Sequence, residues 1–169
     1  VAIKGALDKI NLDPKWVDIY LKLFIHPLDA LGVDFYFLDS YDNKNELNDY
    51  LLKHAKEGDI LITQLEVNLD AVYEANKLAK SLGMYTILNP APICEFDKDI
   101  YNYLDLVVLN ETEAKLLTNI ECETIQDAKS IYEKLNVSEI IITLGGKGGY
   151  YVSKNEVIQN VNNIIEAPC

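Results

Sequence analysis

The chain has 169 residues, 49% hydrophobic and 25% charged, an ordinary globular composition that excludes disordered, collagenous and low-complexity classes. Its net charge of −12 is carried against 15 basic residues, all of them lysine. A nucleic-acid binder would present a basic face, so that class is not expected, and no apolar run reaches the ~18 residues a membrane span needs. No signal peptide is expected, because the apolar start Val1-Ala2-Ile3 is broken at Lys4.

The elements follow in chain order. Asp13 caps and Pro14 opens a predicted helix over 13–31, with Trp16, Ile19, Tyr20, Leu23 and Phe24 at helical spacing, kinked at His26-Pro27 and ended by Gly32. Val33–Leu38 reads as a strand and Asn43–Lys56 as a helix closed by Gly58. Ile60–Leu65 is an apolar strand. Asn68 caps a helix whose Leu69, Val72, Ala75, Ala79 and Leu82 share one face, stopped by Gly83. Tyr85–Leu88 is a strand that leaves through Asn89-Pro90-Ala91-Pro92. Leu106–Leu109 is another, and Asn110 starts a helix through about Leu117. Thr124 and Asp127 open a further helix with the stripe Ile125, Ala128, Ile131 and Leu135. Ile140–Thr143, Tyr150–Ser153 and Val157–Val161 are the last strands, the first two joined by a glycine-rich turn.

Strand and helix alternate, and the central strands are continuously apolar. That pattern predicts a mainly parallel sheet buried on both faces, a three-layer α/β/α sandwich with right-handed crossovers. Ligands of such folds bind at the carboxyl ends of the strands. The rule selects Gln64-Leu65-Glu66, Asn89-Pro90, Asn110 and Thr143-Leu144-Gly145, which are expected along one rim.

Each cluster has a plain structural reading and a chemical one. Asn110-Glu111-Thr112-Glu113 is a capping box, and equally a helix N-terminus whose free N–H groups suit a phosphate. Glu113 would repel bare phosphate, so Mg²⁺ or water must lie between them. Thr143-Leu144-Gly145-Gly146-Lys147-Gly148-Gly149 is a hairpin turn, or a loop that lets backbone approach a nucleotide. It is no Walker A loop: Ile141 stands where the first glycine belongs, and Gly148 where Ser or Thr follows the lysine. Glu66 alone reads as a solvated strand end. His26 and His54 read as structural or surface residues. Cys94, Cys122 and Cys169 form neither a disulfide framework nor a zinc cage, so a reducing cytoplasm is the default expectation.

The ordered set is more specific than any member. Gln64-Leu65-Glu66, Asn89-Pro90-Ala91-Pro92, Asn110-Glu111-Thr112-Glu113 and Thr143-Leu144-Gly145-Gly146-Lys147-Gly148 together resemble the ribokinase branch of the PfkB carbohydrate kinases. The resemblance runs from about Asp59 to Cys169, with a weaker echo at Leu31-Gly32-Val33-Asp34. It implies one partial ribokinase-like domain over 1–169, strong over 59–169 and weak over 1–58, where the lid and the di-glycine sugar segment are missing.

By that resemblance Glu66 matches the sugar-binding acid, Asn110 a nucleotide-binding asparagine, and Thr143, Leu144, Gly145, Gly146, Lys147 and Gly148 the ATP-binding segment. Glu113 matches the acid that organises Mg²⁺ through water. The implied reaction moves the γ-phosphoryl group of ATP to O5 of D-ribose, with K⁺ as an activator whose ligands are not placed. The catalytic base is expected in a Gly-Ala-Gly-Asp motif downstream of a segment like Ile165-Glu166-Ala167-Pro168, beyond Cys169, so the 169 residues alone are expected to be inactive. Fructokinase-like and nucleoside-kinase-like activities stay open, as do a non-catalytic nucleotide-binding or regulatory remnant and a plain α/β domain with no nucleotide site. Apolar surface left by the missing parts is expected to favour a homo-oligomer.

Overall fold

The computed structural model describes residues 35–38, 44–65 and 68–160. The expected helix over 13–31, His26, Glu66 and Cys169 lie outside the described residues. Among the described residues seven strands form one sheet in the order of the sequence: β1 (Phe35–Leu38), β2 (Ile60–Gln64), β3 (Tyr85–Asn89), β4 (Leu106–Asn110), β5 (Glu139–Thr143), β6 (Gly149–Ser153) and β7 (Val157–Asn160). The first five run parallel. The last two return antiparallel. Four α-helices intervene: α1 (Lys44–His54), α2 (Leu69–Ser81), α3 (Glu111–Thr118) and α4 (Ile125–Leu135).

The helix boundaries follow the sequence. Asn68 accepts the Ala71 N–H at 3.1 Å and caps α2. Gly83, just past its end, takes φ +76°, where a side chain would be strained. Thr124 and Asp127 form the expected capping box at α4. Hydrogen bonds from the Thr124 hydroxyl and from the Thr124 and Glu123 N–H groups hold the Asp127 carboxyl below its ordinary range. Ile125, expected in the buried stripe of α4, is instead 41% exposed, at the first residue of the helix. A 3₁₀ helix over Lys98–Tyr103 was not legible from periodicity; Asp97 caps it through the Asp99 N–H at 2.9 Å.

Strands joined one after another in a single direction put every right-handed crossover on the same face. The core records this. Leu61, Leu88, Val107, Leu109, Ile140, Ile142 and Val152 are at most 1% exposed and share one cluster with Val72, Ala75, Ala79, Ala128 and Ile131 of the helices. Burial therefore alternates along β2, β3 and β5, although apolar residues run consecutively in them as Ile60-Leu61-Ile62, Ile87-Leu88 and Ile140-Ile141-Ile142. The α/β fold with its mainly parallel sheet is as expected. Among the described residues the helices pack on one face of the sheet, and Ile62, Ile87, Val108 and Ile141 are partly exposed on the other.

One polar chain crosses the core. Asn76 Nδ2 donates to Thr63 Oγ1 at 3.0 Å, and Thr63 Oγ1 donates to the Ile87 carbonyl at 3.2 Å. It ties α2, β2 and β3 together just below the carboxyl ends of the strands. Among the described residues no helix is long and apolar enough to cross a membrane.

Candidate functional site

Register fixes the rim. Gln64 pairs with Asn89 across β2–β3, and Asn110 pairs with Thr143 across β4–β5. Four segments that are far apart in sequence thus end on one edge of one sheet. Two further bonds join them in pairs. The Leu65 N–H donates to the Ala91 carbonyl at 3.1 Å, linking the exits of β2 and β3. Thr143 Oγ1 donates to the Leu109 carbonyl at 3.3 Å, linking β5 to β4. The Ala91–Pro92 peptide is cis.

At the β4 exit the structural reading of Asn110-Glu111-Thr112-Glu113 holds in full. Asn110 Oδ1 accepts the Glu113 N–H at 2.8 Å, and Glu113 Oε2 accepts the Asn110 N–H at 2.8 Å. Asn110 Nδ2 also donates to Glu113 Oε1 at 2.8 Å. This closes α3's first turn, yet leaves chemistry available. A carboxamide has two N–H groups and two acceptor lone pairs, so exposed Asn110 keeps one of each after the box is made. The capping box leaves the N–H groups of Glu111 and Thr112 outside it, with the positive end of the helix dipole behind them.

Glu113 is 8% exposed, and each of its oxygens already accepts one bond. Among the described residues no group of three or more His, Cys, Asp or Glu side chains could hold a metal. This donor set cannot cage a bare divalent ion. It does fit an ion that arrives on a triphosphate and keeps its waters, since Mg²⁺ binds through phosphates and one or two carboxylates rather than an all-protein cage.

The turn after β5 is ordered as a short 3₁₀ helix, Gly145–Lys147. The Leu144 N–H donates to the Gly148 carbonyl at 2.8 Å and closes the loop on itself. Gly145 and Gly148 take φ +54° and +94°, conformations that cost other residues about 1–2 kcal/mol. Buried Leu144 anchors the loop while Gly145, Gly146 and Lys147 are exposed. Gly149 is required for another reason: a Cβ there would stand 2.6 Å from the Ile142 carbonyl oxygen.

Other candidates separate from this rim. His54 stacks on Tyr50 with ring centroids 4.6 Å apart, out on α1. Burial pushes the Cys122 thiol up to about 11, aided by Asp127 and Glu111, which suits an inert packing residue; Cys94 is exposed. A cavity of about 660 Å³ opens between α2 and the 95–100 segment, lined by Leu65, Tyr73 and Phe96 and by the carboxylates of Asp70, Glu74 and Asp97. Its acidic wall opposes phosphate, and it shares only Leu65 with the rim.

A family model described as pfkB family carbohydrate kinase matches residues 34–167. The chain belongs to that family. A ribokinase of Staphylococcus aureus is 35% identical over 102 residues, 59% of this chain and 34% of the relative. A deoxyribokinase of Salmonella typhi is 33% identical over 108 residues, 61% of this chain and 35% of the relative. The crystal structure of a Thermotoga maritima ribokinase superposes with a TM-score of 0.55 at 28% identity, covering 75% of this chain and 40% of that one. The chain spans about a third of the length of the curated relatives it matches.

Proposed function

We propose that this pfkB chain carries the nucleotide-binding half of an ATP-dependent sugar kinase of the ribokinase type. The observation that carries the reading is the β4–β5 register, which sets Asn110 beside Thr143 at the carboxyl edge of the sheet. An α-helix N-terminus and a glycine loop thereby flank one corner. Asn110 offers its spare amide N–H and lone pair to the nucleotide. Thr143, Leu144, Gly145, Gly146, Lys147 and Gly148 present backbone and one ammonium group to the phosphates. The Thr143 hydroxyl would have to leave the Leu109 carbonyl to donate to a phosphate oxygen. Glu113 acts on the waters of Mg²⁺ brought by ATP. K⁺ belongs to the proposal as an activator, with no residues of this chain assigned to it.

The sugar is a pentose, D-ribose through O5, taken up by Glu66 near the β2 exit. The Salmonella typhi deoxyribokinase makes 2-deoxyribose the competing substrate. In the whole reaction O5 forms a bond to the γ-phosphorus as the bond from that phosphorus to the β-phosphate bridge breaks, and the O5 proton passes to a base. The 169 residues contain no Gly-Ala-Gly-Asp motif. They lack the group that would take this proton, a contribution of ~10²–10⁴-fold. They therefore bind nucleotide without turnover.

Calorimetric titration of the purified chain with ADP or ATP and Mg²⁺ tests the proposal, beside a coupled assay for ADP release with ribose and with 2-deoxyribose. Saturable binding is expected, lost in Asn110→Ala and in Gly145→Val while circular dichroism stays native. Folded protein without binding would overturn the nucleotide reading, leaving the caps and turns as structure only. Turnover at ordinary kinase rates would overturn the assignment of the missing base.

A further inference from the structure

Two carboxamides at the carboxyl edge of the sheet take no part in the nucleotide corner. Gln64 ends β2 and Asn89 ends β3, and the two are register partners. Thr63 and Leu65 on either side of Gln64 are buried, as are Leu88 and Pro90 on either side of Asn89, while Gln64 and Asn89 themselves are half-buried. Alternation thus turns both amides away from the helical core, onto the same face. Paired strands stand ~4.8 Å apart, so the two side chains lie next to each other. Neither carboxamide makes a hydrogen bond among the described residues. Each keeps its N–H donors and its carbonyl acceptor.

The pair is braced from below and from above. One residue earlier, Thr63 Oγ1 donates to the Ile87 carbonyl at 3.2 Å. One residue later, the Leu65 N–H donates to the Ala91 carbonyl at 3.1 Å. Both bonds join the β2 segment to the β3 segment, so the spacing of the two amides is set before any ligand arrives. The neighbouring part of the edge differs in level and in charge. Leu88 pairs with Val107, which places Asn110 and Thr143 two residues farther along the strands, a step of about 6.6 Å. On that higher step stand exposed Lys147 and the N-terminus of α3, the latter carrying about half a positive charge.

We propose, on the sugar-kinase reading above, that Gln64 and Asn89 bind hydroxyl groups of the acceptor sugar on the lower step, beside the nucleotide corner. Charge separates the two ligands. Phosphates are drawn to the ammonium group and the helix N-terminus, and a neutral amide pair cannot compete for them. Ionised phosphate oxygens only accept, so they would leave both amide carbonyls unused. A sugar hydroxyl donates and accepts, and it uses both halves of a carboxamide. Chain order agrees, since Gln64 stands two residues before Glu66, the residue assigned to the sugar. Two braced amides also lose little conformational freedom on binding, which favours a small polyol over a ligand that must order its own site.

Ligand-observed NMR titration of the full chain with D-ribose, run beside calorimetric titration with ADP and Mg²⁺, tests this. Neutral hydrogen bonds contribute only about 1 kcal/mol each, so ribose is carried to about 50 mM and weak saturable binding is expected. Gln64→Met and Asn89→Leu keep the size of each side chain and remove its polar atoms. Each should weaken ribose binding about tenfold and leave ADP affinity and the circular dichroism spectrum unchanged. Inorganic phosphate should not displace ribose. Absence of ribose binding in the unsubstituted chain overturns the proposal, as do variants that bind ribose normally, variants that lose ribose and ADP equally, and displacement of ribose by phosphate. A chain that binds ribose through these residues but not ADP removes the nucleotide reading and leaves the sugar contacts standing.

Discussion

The two faces of the sheet are built from the same kinds of residue and meet different fates. On the helical face Leu61, Leu88, Ile140 and Ile142 are 0% exposed. On the other, Ile62, Ile87 and Ile141, their immediate neighbours in sequence, remain partly exposed. Hydrophobicity does not separate the two sets. Strand order does, because sequential parallel pairing sends every crossover to one side. Apolar side chains in such a sheet therefore measure what the strand could bury, and connectivity decides what it does bury.

The comparison breaks most readily in paired truncations. Leu88→Ala should cost about 2–5 kcal/mol, as fully buried leucines do, whereas Ile87→Ala should cost about 1 kcal/mol at low protein concentration. Denaturant unfolding with constant m-values would measure both. Equal losses would mean that the second face is covered after all. Gly149→Ala should follow, at about 1–3 kcal/mol, since its Cβ is forced against the Ile142 carbonyl. That cost should appear as disturbed β5–β6 amide exchange, with β2–β3 unaffected. Asn110→Ala removes the α3 capping box and should cost about 1 kcal/mol, beside its effect on nucleotide binding.

A smaller effect concerns pH. The Cys122 thiol is raised from 9.0 to about 11 in the folded chain. The unfolded thiol ionises first, so the folded state is fully favoured below about pH 9 and loses stability as pH rises toward about 11. Cys122→Ala should flatten that part of the stability profile. A thiol reagent at pH 8 should modify Cys94 well before Cys122. Smallest of all, Ile125→Ser should change stability by no more than about 0.5 kcal/mol, because its side chain is 41% exposed.

What was legible in the sequence follows from the range of the forces involved. Caps and stops act over three or four residues, so Asn68, Gly83, Asn110 with Glu113, and Thr124 with Asp127 could be named from spacing alone, and they are found as expected. Edge position was also legible, since strand ends follow from turn residues and Asn110 does pair with Thr143. The side taken by each crossover was not, because nothing local in Ile60-Leu61-Ile62 tells it. The 3₁₀ segment at Lys98–Tyr103 escaped because its buried residue, Ile100, stands alone without a period. Asn76 carries a readable signal: an amide between Val72 and Ala79 on the apolar stripe of α2 needs partners indoors, and its Nδ2 donates to Thr63 Oγ1 and the Val72 carbonyl, while its buried Oδ1 has no partner among the described residues.

The Leu109–Thr143 hydrogen bond lies on top of five consecutive register pairs between β4 and β5. Asn110 and Thr143 consequently share a rigid base, and the loop beside them is closed by its own Leu144–Gly148 bond. A molecule arriving at this corner meets groups whose conformational entropy was spent during folding. Its affinity should then be set by fit and desolvation, with little surrendered to induced order.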